Sequence, residues 1–122
     1  MEKKDLKPAG VFKYFEEICQ VPRPSKKEEK MIAYLKAFGA KHNLETKVDE
    51  AGNVLIKKPA TPGKENLQTV VLQSHIDMVC EKNNDVQHDF LTDPIETEID
   101  GEWLKAKGTT LGADNGIGVA TE

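Results

Sequence analysis

The chain has 122 residues, of which 38% are hydrophobic and 31% are charged, and its formal net charge at pH 7 is −4. This length allows one domain with a buried core, and the balance of apolar and charged residues is that of a globular protein. Charges of both signs are interspersed without a basic cluster, which excludes nucleic acid and anionic membranes as expected partners. No apolar segment approaches the length of a membrane span.

Two amphipathic helices are predicted at the start of the chain. The first has apolar residues at three- and four-residue spacing, namely Val11, Phe12, Phe15, Ile18 and Cys19. Pro22 and Pro24 end it, because proline lacks a backbone donor and restricts its predecessor. Ser25 and Glu28 have the spacing of a capping box, which predicts the start of a second helix that ends near residues 42–43. Its predicted inward residues are Met31, Ile32, Leu35 and Phe38.

Beyond these helices the pattern becomes extended. Residues 44–48 alternate between apolar and polar, and a turn at 50–53 leads to residues 54–56, which predicts a hairpin. The run 69–72 is continuously apolar, a pattern typical of a strand covered on both faces. A second hairpin is predicted from residues 95–99 and 103–106, turning at Asp100-Gly101. These elements predict an α/β layer architecture around one buried strand.

The last residues predict the beginning of another helix. Residues 115–120 have the composition of a buried helix, which would stop after about two turns at Thr121-Glu122. A helix of that length is marginal by itself. We therefore expect the sequence to be an N-terminal fragment of a longer protein or a truncated gene product.

His75 and Asp77 form the first candidate for a metal site. They follow the predicted buried strand, at the sheet edge where open α/β sheets place ligands. Two residues apart on extended backbone, their side chains point to one face. If one ring nitrogen of His75 binds a metal ion, its other N–H needs an acceptor such as Asp77. A surface histidine beside an unrelated acid is the alternative.

Asp114 is the second candidate. It lies near glycines at the predicted start of the last helix, where backbone can approach an ion closely and an ionised carboxylate is favoured. Its two oxygens could bridge two metal ions about 3.5–4 Å apart. A turn or a helix cap is the alternative. A catalytic zinc usually takes three protein ligands, so His75 and Asp114 would form only part of a site.

The remaining histidines and cysteines are expected to be structural. His42 ends a helix and complements its dipole, and His88 lies in a polar loop, where exposure or a loop contact is expected. Cys19 and Cys80 are widely spaced and are expected to be reduced thiols of a cytosolic protein. No nucleophile signature surrounds Ser74. The glycine-rich residues 108–118 also lack the known phosphate-binding motifs.

In combination, these residues resemble the M20 metallopeptidases, specifically their aminoacyl-histidine dipeptidase branch. The resemblance extends over almost the whole chain. Its most specific strings are Lys-Asn-Asn-Asp at 82–85 and Gly-Thr-Thr-Leu-Gly-Ala-Asp-Asn-Gly-Ile-Gly at 108–118. The other similar segments are residues 15–19, 22–25, 52–61, 71–79, 88–90, 93–95 and 100–103.

This resemblance implies roles for the candidate residues. His75 would bind one metal ion, Asp77 would orient its imidazole, and Asp114 would bridge two ions and precede a cis peptide bond to Asn115. Two divalent ions are implied, zinc in the first place, with manganese or cobalt as alternatives. The substrate would be a dipeptide. The general-base glutamate, the remaining metal ligands and a lid domain would lie beyond Glu122.

The resemblance also implies a fold and a cellular setting. Residues 1–122 would be the N-terminal part of a three-layer, zinc-peptidase-like catalytic domain with a mixed sheet, two leading helices and β-hairpins. The parent protein would be a cytoplasmic dipeptidase of broad, Xaa-His type specificity and a possible homodimer, whereas the fragment alone would be inactive. The alternatives are a related M20 carboxypeptidase, an N-acyl amino acid deacylase, or a non-catalytic truncated chain.

Overall fold

The computed structural model describes residues Met1–Glu122 as three α-helices and two β-hairpins. The helices are α1 (Ala9–Cys19), α2 (Glu29–Lys41) and α3 (Ala113–Thr121). The strands are β1 (Glu45–Val48), β2 (Val54–Lys57), β3 (Thr97–Asp100) and β4 (Trp103–Ala106). The chain forms two compact units. The first consists of residues 1–31 and 73–122, and the second consists of residues 32–72. None of the helices combines the length and the hydrophobicity that crossing a lipid bilayer requires.

The first unit is built on the packing of α1 against α3. The predicted apolar stripe of α1 is confirmed, since Phe15, Ile18 and Cys19 are no more than 2% exposed. Burial of such side chains contributes on the order of 1.5–3 kcal/mol each. The remaining buried apolar residues of the chain are Met31, Met78, Ile95 and Ala120.

The second unit contains most of α2 and the predicted first hairpin, which is confirmed. β1 and β2 pair antiparallel, with Glu45 opposite Lys57 and Val48 opposite Val54. The end of α2 approaches this hairpin closely, so that a Cβ atom at Gly39 would collide with the Thr46 side chain. A residue other than glycine at this position would displace Thr46.

The second predicted hairpin is also confirmed, with its first strand shifted toward the turn. β3 and β4 pair from Thr97 opposite Ala106 to Asp100 opposite Trp103. Gly101 has a φ of +62°, which suits the tight turn between them. Ile95, a predicted strand residue, precedes β3, and its N–H donates to the Cys19 carbonyl.

The predicted buried strand at 69–72 is wrong, and with it the mixed sheet. These residues pair with no other segment, and Val70, Val71 and Leu72 are 80%, 76% and 65% exposed. An apolar run becomes a buried strand only where neighbouring strands satisfy its backbone groups, and residues 1–122 supply none. Both sheets are two-stranded and antiparallel. The structure therefore supports the α/β class of the prediction without its layered architecture around a buried strand.

The predicted capping box of α2 is wrong as well. The helix begins at Glu29, and the Ser25 hydroxyl donates to Asp77 Oδ2 instead of capping it. Glu28 Oε1 accepts the backbone N–H of Lys26 at 2.8 Å. The three-residue spacing of Ser25 and Glu28 predicts a helix cap. In the fold, the Ser25 hydroxyl instead meets an acceptor from a distant segment, the carboxylate of Asp77.

Candidate metal centre

The structure brings the three predicted site residues together. His75 Nδ1 lies 2.9 Å from Asp77 Oδ1, and His75 Nε2 lies 2.8 Å from Asp114 Oδ1. The hydrogen bond to Asp114 is the largest cause of a raised His75 pKa, followed in the same direction by the bond to Asp77. Each carboxylate favours the imidazolium, which donates from both ring nitrogens. Because a histidine binds metal through an unprotonated nitrogen, a proton and a metal ion would compete for Nε2.

Asp114 approaches the histidine from the start of α3. Gly112, with a φ of +76°, turns the chain into this helix, and the backbone at Asp114 and Asn115 is not yet helical. The peptide bond between Asp114 and Asn115 is cis, as the resemblance implies. The Asp114 side chain is 95% exposed and that of His75 is 48% exposed. One face of the pair is thus open to solvent.

Ser25 is a site residue that sequence reasoning missed. Its hydroxyl donates to Asp77 Oδ2 at 2.5 Å, while Asp77 Oδ1 faces the His75 ring. This hydrogen bond is the largest cause of the lowered pKa of Asp77, because it favours the ionised carboxylate. Asp77 is therefore fixed from both sides. Nothing local in the sequence around Ser25 indicates this contact.

Arg23 is the second missed residue. It is 2% exposed, and its guanidinium donates to the carbonyl oxygens of Ile76, Asp77 and Gly112. Burial lowers the pKa of Arg23. The sequence does carry a signal, since Arg23 is the only arginine of the chain and lies between two prolines. Its contacts join the backbone on either side of the candidate centre.

His75 and Asp114 fit two ligands of a divalent metal ion. An imidazole nitrogen and a carboxylate oxygen are ligands that zinc accepts, at about 2.0–2.1 Å. Two such atoms around a tetrahedral ion lie about 3.4 Å apart, so the two ligands would separate by roughly half an ångström to admit it. No three histidine, cysteine, aspartate or glutamate side chains converge on one metal position. The donor set therefore fits part of a zinc site.

The other two histidines contact phenylalanine rings in tilted arrangements. The rings of His42 and Phe38 have centroids 4.4 Å apart, and those of His88 and Phe90 are 4.5 Å apart. Nε2 of His88 is buried without a hydrogen-bond partner. Neither histidine contacts His75, Asp77 or Asp114 in the candidate centre.

The thiols and Ser74 also lie outside the chemistry of the centre. Cys19 and Cys80 are free, and burial raises the pKa of the Cys19 thiol to about 12. The Ser74 hydroxyl donates to Glu122 Oε2 at 2.9 Å, so it is not paired with the adjacent His75. No serine or cysteine is arranged as an activated nucleophile.

This fold is also found in a solved dipeptidase. The crystal structure of aminoacylhistidine dipeptidase from Vibrio alginolyticus matches 99% of the chain with a TM-score of 0.94 and 54% sequence identity. The matched part is 25% of that chain. The elements that carry His75, Asp77 and Asp114 are therefore closely similar to part of a dipeptidase.

A second relative is also named a dipeptidase. The cytosol non-specific dipeptidase of Escherichia coli (strain K12) is 51% identical over 120 residues, which are 98% of this chain and 25% of the relative. No protein-family model matches the chain. The resemblance to the aminoacyl-histidine dipeptidase branch is confirmed by these two relatives. The chain spans about a quarter of the length of either one.

Proposed function

We propose that the chain is part of the catalytic domain of a metal-dependent dipeptidase and contributes the metal ligands His75 and Asp114. One observation carries this proposal: the His75 ring lies between carboxylates from two separate loops, within a backbone closely similar to that of a dipeptidase. Both relatives are named dipeptidases, which favours dipeptide substrates over those of a carboxypeptidase or a deacylase.

The proposed roles of the residues follow from their positions. Asp77 accepts the Nδ1 proton of His75 and so leaves Nε2 for the metal ion. Asp114 would hold a metal ion together with His75 at the exposed face of the centre, and its carboxylate could be shared between two ions. Bound divalent ions would polarise the peptide carbonyl and lower the pKa of a water molecule. The open face of His75 and Asp114 leaves room for a dipeptide.

The finer details of the parent protein belong to the same proposal. The chain would form the N-terminal part of a three-layer, zinc-peptidase-like catalytic domain. The exposed apolar side chains of Val70, Val71 and Leu72 support a larger domain, because a contiguous exposed apolar patch marks a surface that another part of a protein covers. The general base and the remaining ligands would come from outside residues 1–122.

The proposal also covers the specificity, cellular location, metal identity and assembly of the parent protein. The names of the relatives support broad and Xaa-His dipeptide specificity and a cytoplasmic location. Zinc suits the imidazole and carboxylate ligands, and manganese or cobalt suits them too. A homodimer of the full-length protein follows from the family resemblance alone.

Zinc binding tests the proposed ligands. The purified chain should bind zinc weakly and substoichiometrically in competition with a chromophoric chelator, because two ligands leave most of the coordination sphere to water. His75→Ala and Asp114→Asn should each abolish this binding, whereas the matched control His42→Ala should leave it unchanged. Undiminished zinc binding by the His75→Ala/Asp114→Asn double variant would contradict the assignment.

Dipeptide hydrolysis tests the missing part of the site. The chain supplied with zinc should not hydrolyse an Xaa-His dipeptide, because no third acidic side chain of residues 1–122 converges with His75 and Asp114 to activate a water molecule as general base. Release of histidine would be followed by chromatography. Turnover that requires zinc and disappears in His75→Ala would show that residues 1–122 hold a complete site.

A further inference from the structure

Arg23 is the one basic side chain that the fold buries. It is 2% exposed, whereas every lysine of the chain is exposed. We propose that Arg23 is a positioning residue. It fixes the spacing between the segment around His75 (the His75 loop) and the turn that leads into α3 at Asp114 (the Asp114 loop), and thereby the metal affinity of the candidate centre. The second half of this proposal rests on the proposed function, and the first half stands on geometry alone.

The guanidinium joins the two loops through different nitrogen atoms. Nη1 donates to the Ile76 carbonyl at 3.1 Å and more weakly to the Asp77 carbonyl at 3.4 Å. Nη2 donates to the Gly112 carbonyl at 2.7 Å. Ile76 lies between His75 and Asp77, and Gly112 lies two residues before Asp114. A planar, rigid fork of donors thus sets the distance between the two ligand-bearing segments.

The start of α3 is shaped to fit this side chain. A Cβ atom at Gly112 or at Gly116 would lie 2.6 Å from Arg23 Nη2. The backbone of α3 can therefore rest against the guanidinium only because both positions are glycine. The bond from Gly116 N–H to the Gly112 carbonyl keeps this turn in place.

The backbone of Arg23 is itself fixed to the His75 loop. The Met78 N–H donates to the Arg23 carbonyl at 3.0 Å, and the Ser25 N–H donates to the Met78 carbonyl at 3.3 Å. Pro24 and Met78 form a parallel bridge at this point. The backbone of Arg23 is thus tied to one loop, and its side chain reaches across to the other.

The charge of Arg23 and its geometry predict opposite effects on metal binding. Its acceptors are all backbone carbonyl oxygens, so its positive charge is not neutralised by a direct ion pair. A buried cation near a metal site repels the metal ion. If charge dominated, removing it would strengthen metal binding; if positioning dominates, removing it weakens metal binding.

Two substitutions of Arg23 separate these effects. Arg23→Lys keeps the charge without the fork, and Arg23→Met removes both while keeping an unbranched side chain. Zinc affinity should fall by about 10- to 100-fold in both variants, the usual effect of losing a residue that orients metal ligands. The control Lys27→Met removes an exposed charge nearby and should leave affinity unchanged. Tighter zinc binding by Arg23→Met, or wild-type affinity in folded Arg23→Lys, would overturn the proposal.

A metal-free measurement tests the spacing directly. In the wild-type chain, NMR should show nuclear Overhauser contacts between the His75 ring protons and the Asp114 methylene protons. Folded Arg23→Lys should lose these contacts, and their persistence would overturn the proposal. If the wild-type chain binds no zinc, the proposed function fails for these residues, while this measurement still decides the positioning role of Arg23.

Two further measurements leave Arg23 itself unchanged. The Arg23 Nη protons of the wild-type protein should exchange slowly with solvent and show contacts to Ile76 and Gly112; rapid exchange without such contacts would overturn the proposal. Gly116→Ala should weaken the His75–Asp114 contacts by displacing the guanidinium. The matched control Gly10→Ala, where a Cβ atom meets nothing within 4 Å, should leave them intact.

Discussion

The candidate centre depends on residues that would not themselves touch a metal ion. Asp77 receives the Ser25 hydroxyl on one oxygen and faces the His75 ring with the other. Its orientation is therefore determined before any metal ion binds, which lowers the reorganisation needed when one does. Residues of this kind typically change metal affinity without being ligands.

Replacing Ser25 should shift the titration of Asp77. Ser25→Ala removes the largest cause of the lowered Asp77 pKa, so this pKa should rise toward its ordinary value. A carboxyl group with a lowered pKa stabilises the folded state above its unfolded-state pKa and loses this contribution as pH falls through its folded-state pKa. The variant should thus lose less stability than the wild type upon acidification.

The titration can be followed by NMR of the Asp77 carboxyl carbon, and stability by urea unfolding at neutral and acidic pH. Ser25→Thr retains the hydroxyl and serves as the control, with an Asp77 pKa that stays low. An unchanged Asp77 pKa in Ser25→Ala would show that the hydroxyl does not hold this carboxylate in solution.

Individual residues differ in how far the sequence predicts them. The sequence singles out His75, Asp77 and Asp114 as candidates, because each belongs to a short motif with known metal chemistry and to a segment that resembles the M20 metallopeptidases. The acceptors of Ser25 and Arg23 lie in segments remote in sequence, so the sequence marks Arg23 only as a single arginine between two prolines and does not indicate the Ser25 contact. When a side chain can hydrogen-bond to either a local or a distant partner, the tertiary fold decides between the two. The prediction placed Ser25 at the local partner, the start of α2, whereas its hydroxyl donates to Asp77.

At the scale of secondary structure, elements with local hydrogen bonds were predictable. The helices follow from apolar periodicity, and the hairpins follow from alternation around glycine-containing turns. The run 69–72 has the composition of a strand, yet its state depends on partners that no local pattern encodes. It lies exposed, with no backbone hydrogen bond between it and a neighbouring strand.

This exposed run should promote self-association. Unpaired backbone groups beside apolar side chains are a template for pairing with a second chain. In sedimentation velocity, the apparent mass of the wild-type chain should rise with concentration. Val71→Lys places a charge in the middle of the run, and the apparent mass of this variant should remain that of a monomer. Leu91→Lys, which changes an apolar residue in a separate exposed loop, is the control and should have no such effect. Equal association in the two variants would exclude residues 69–72 as the cause.

At the scale of the whole molecule, the division into units separates the candidate centre from the first hairpin. The unit that contains Arg23, Ser25, His75, Asp77 and Asp114 consists of residues 1–31 and 73–122. Its two stretches meet through the packing of α1 against α3 and through the hydrogen bonds of Arg23. The unit is thus discontinuous in sequence and continuous in space.

Because the unit that contains the candidate centre does not include residues 60–66, we expect the centre to remain intact when the chain is cut there. These residues lie outside helices and strands and are exposed. A protease site engineered there should yield two pieces that elute together from a sizing column and bind zinc as the intact chain does. Pieces that separate without denaturant would show that the unit needs its covalent link. In the cut protein, one polypeptide would bring the positioning side chains and the other would bring the metal ligands, so that the two could be varied and recombined independently.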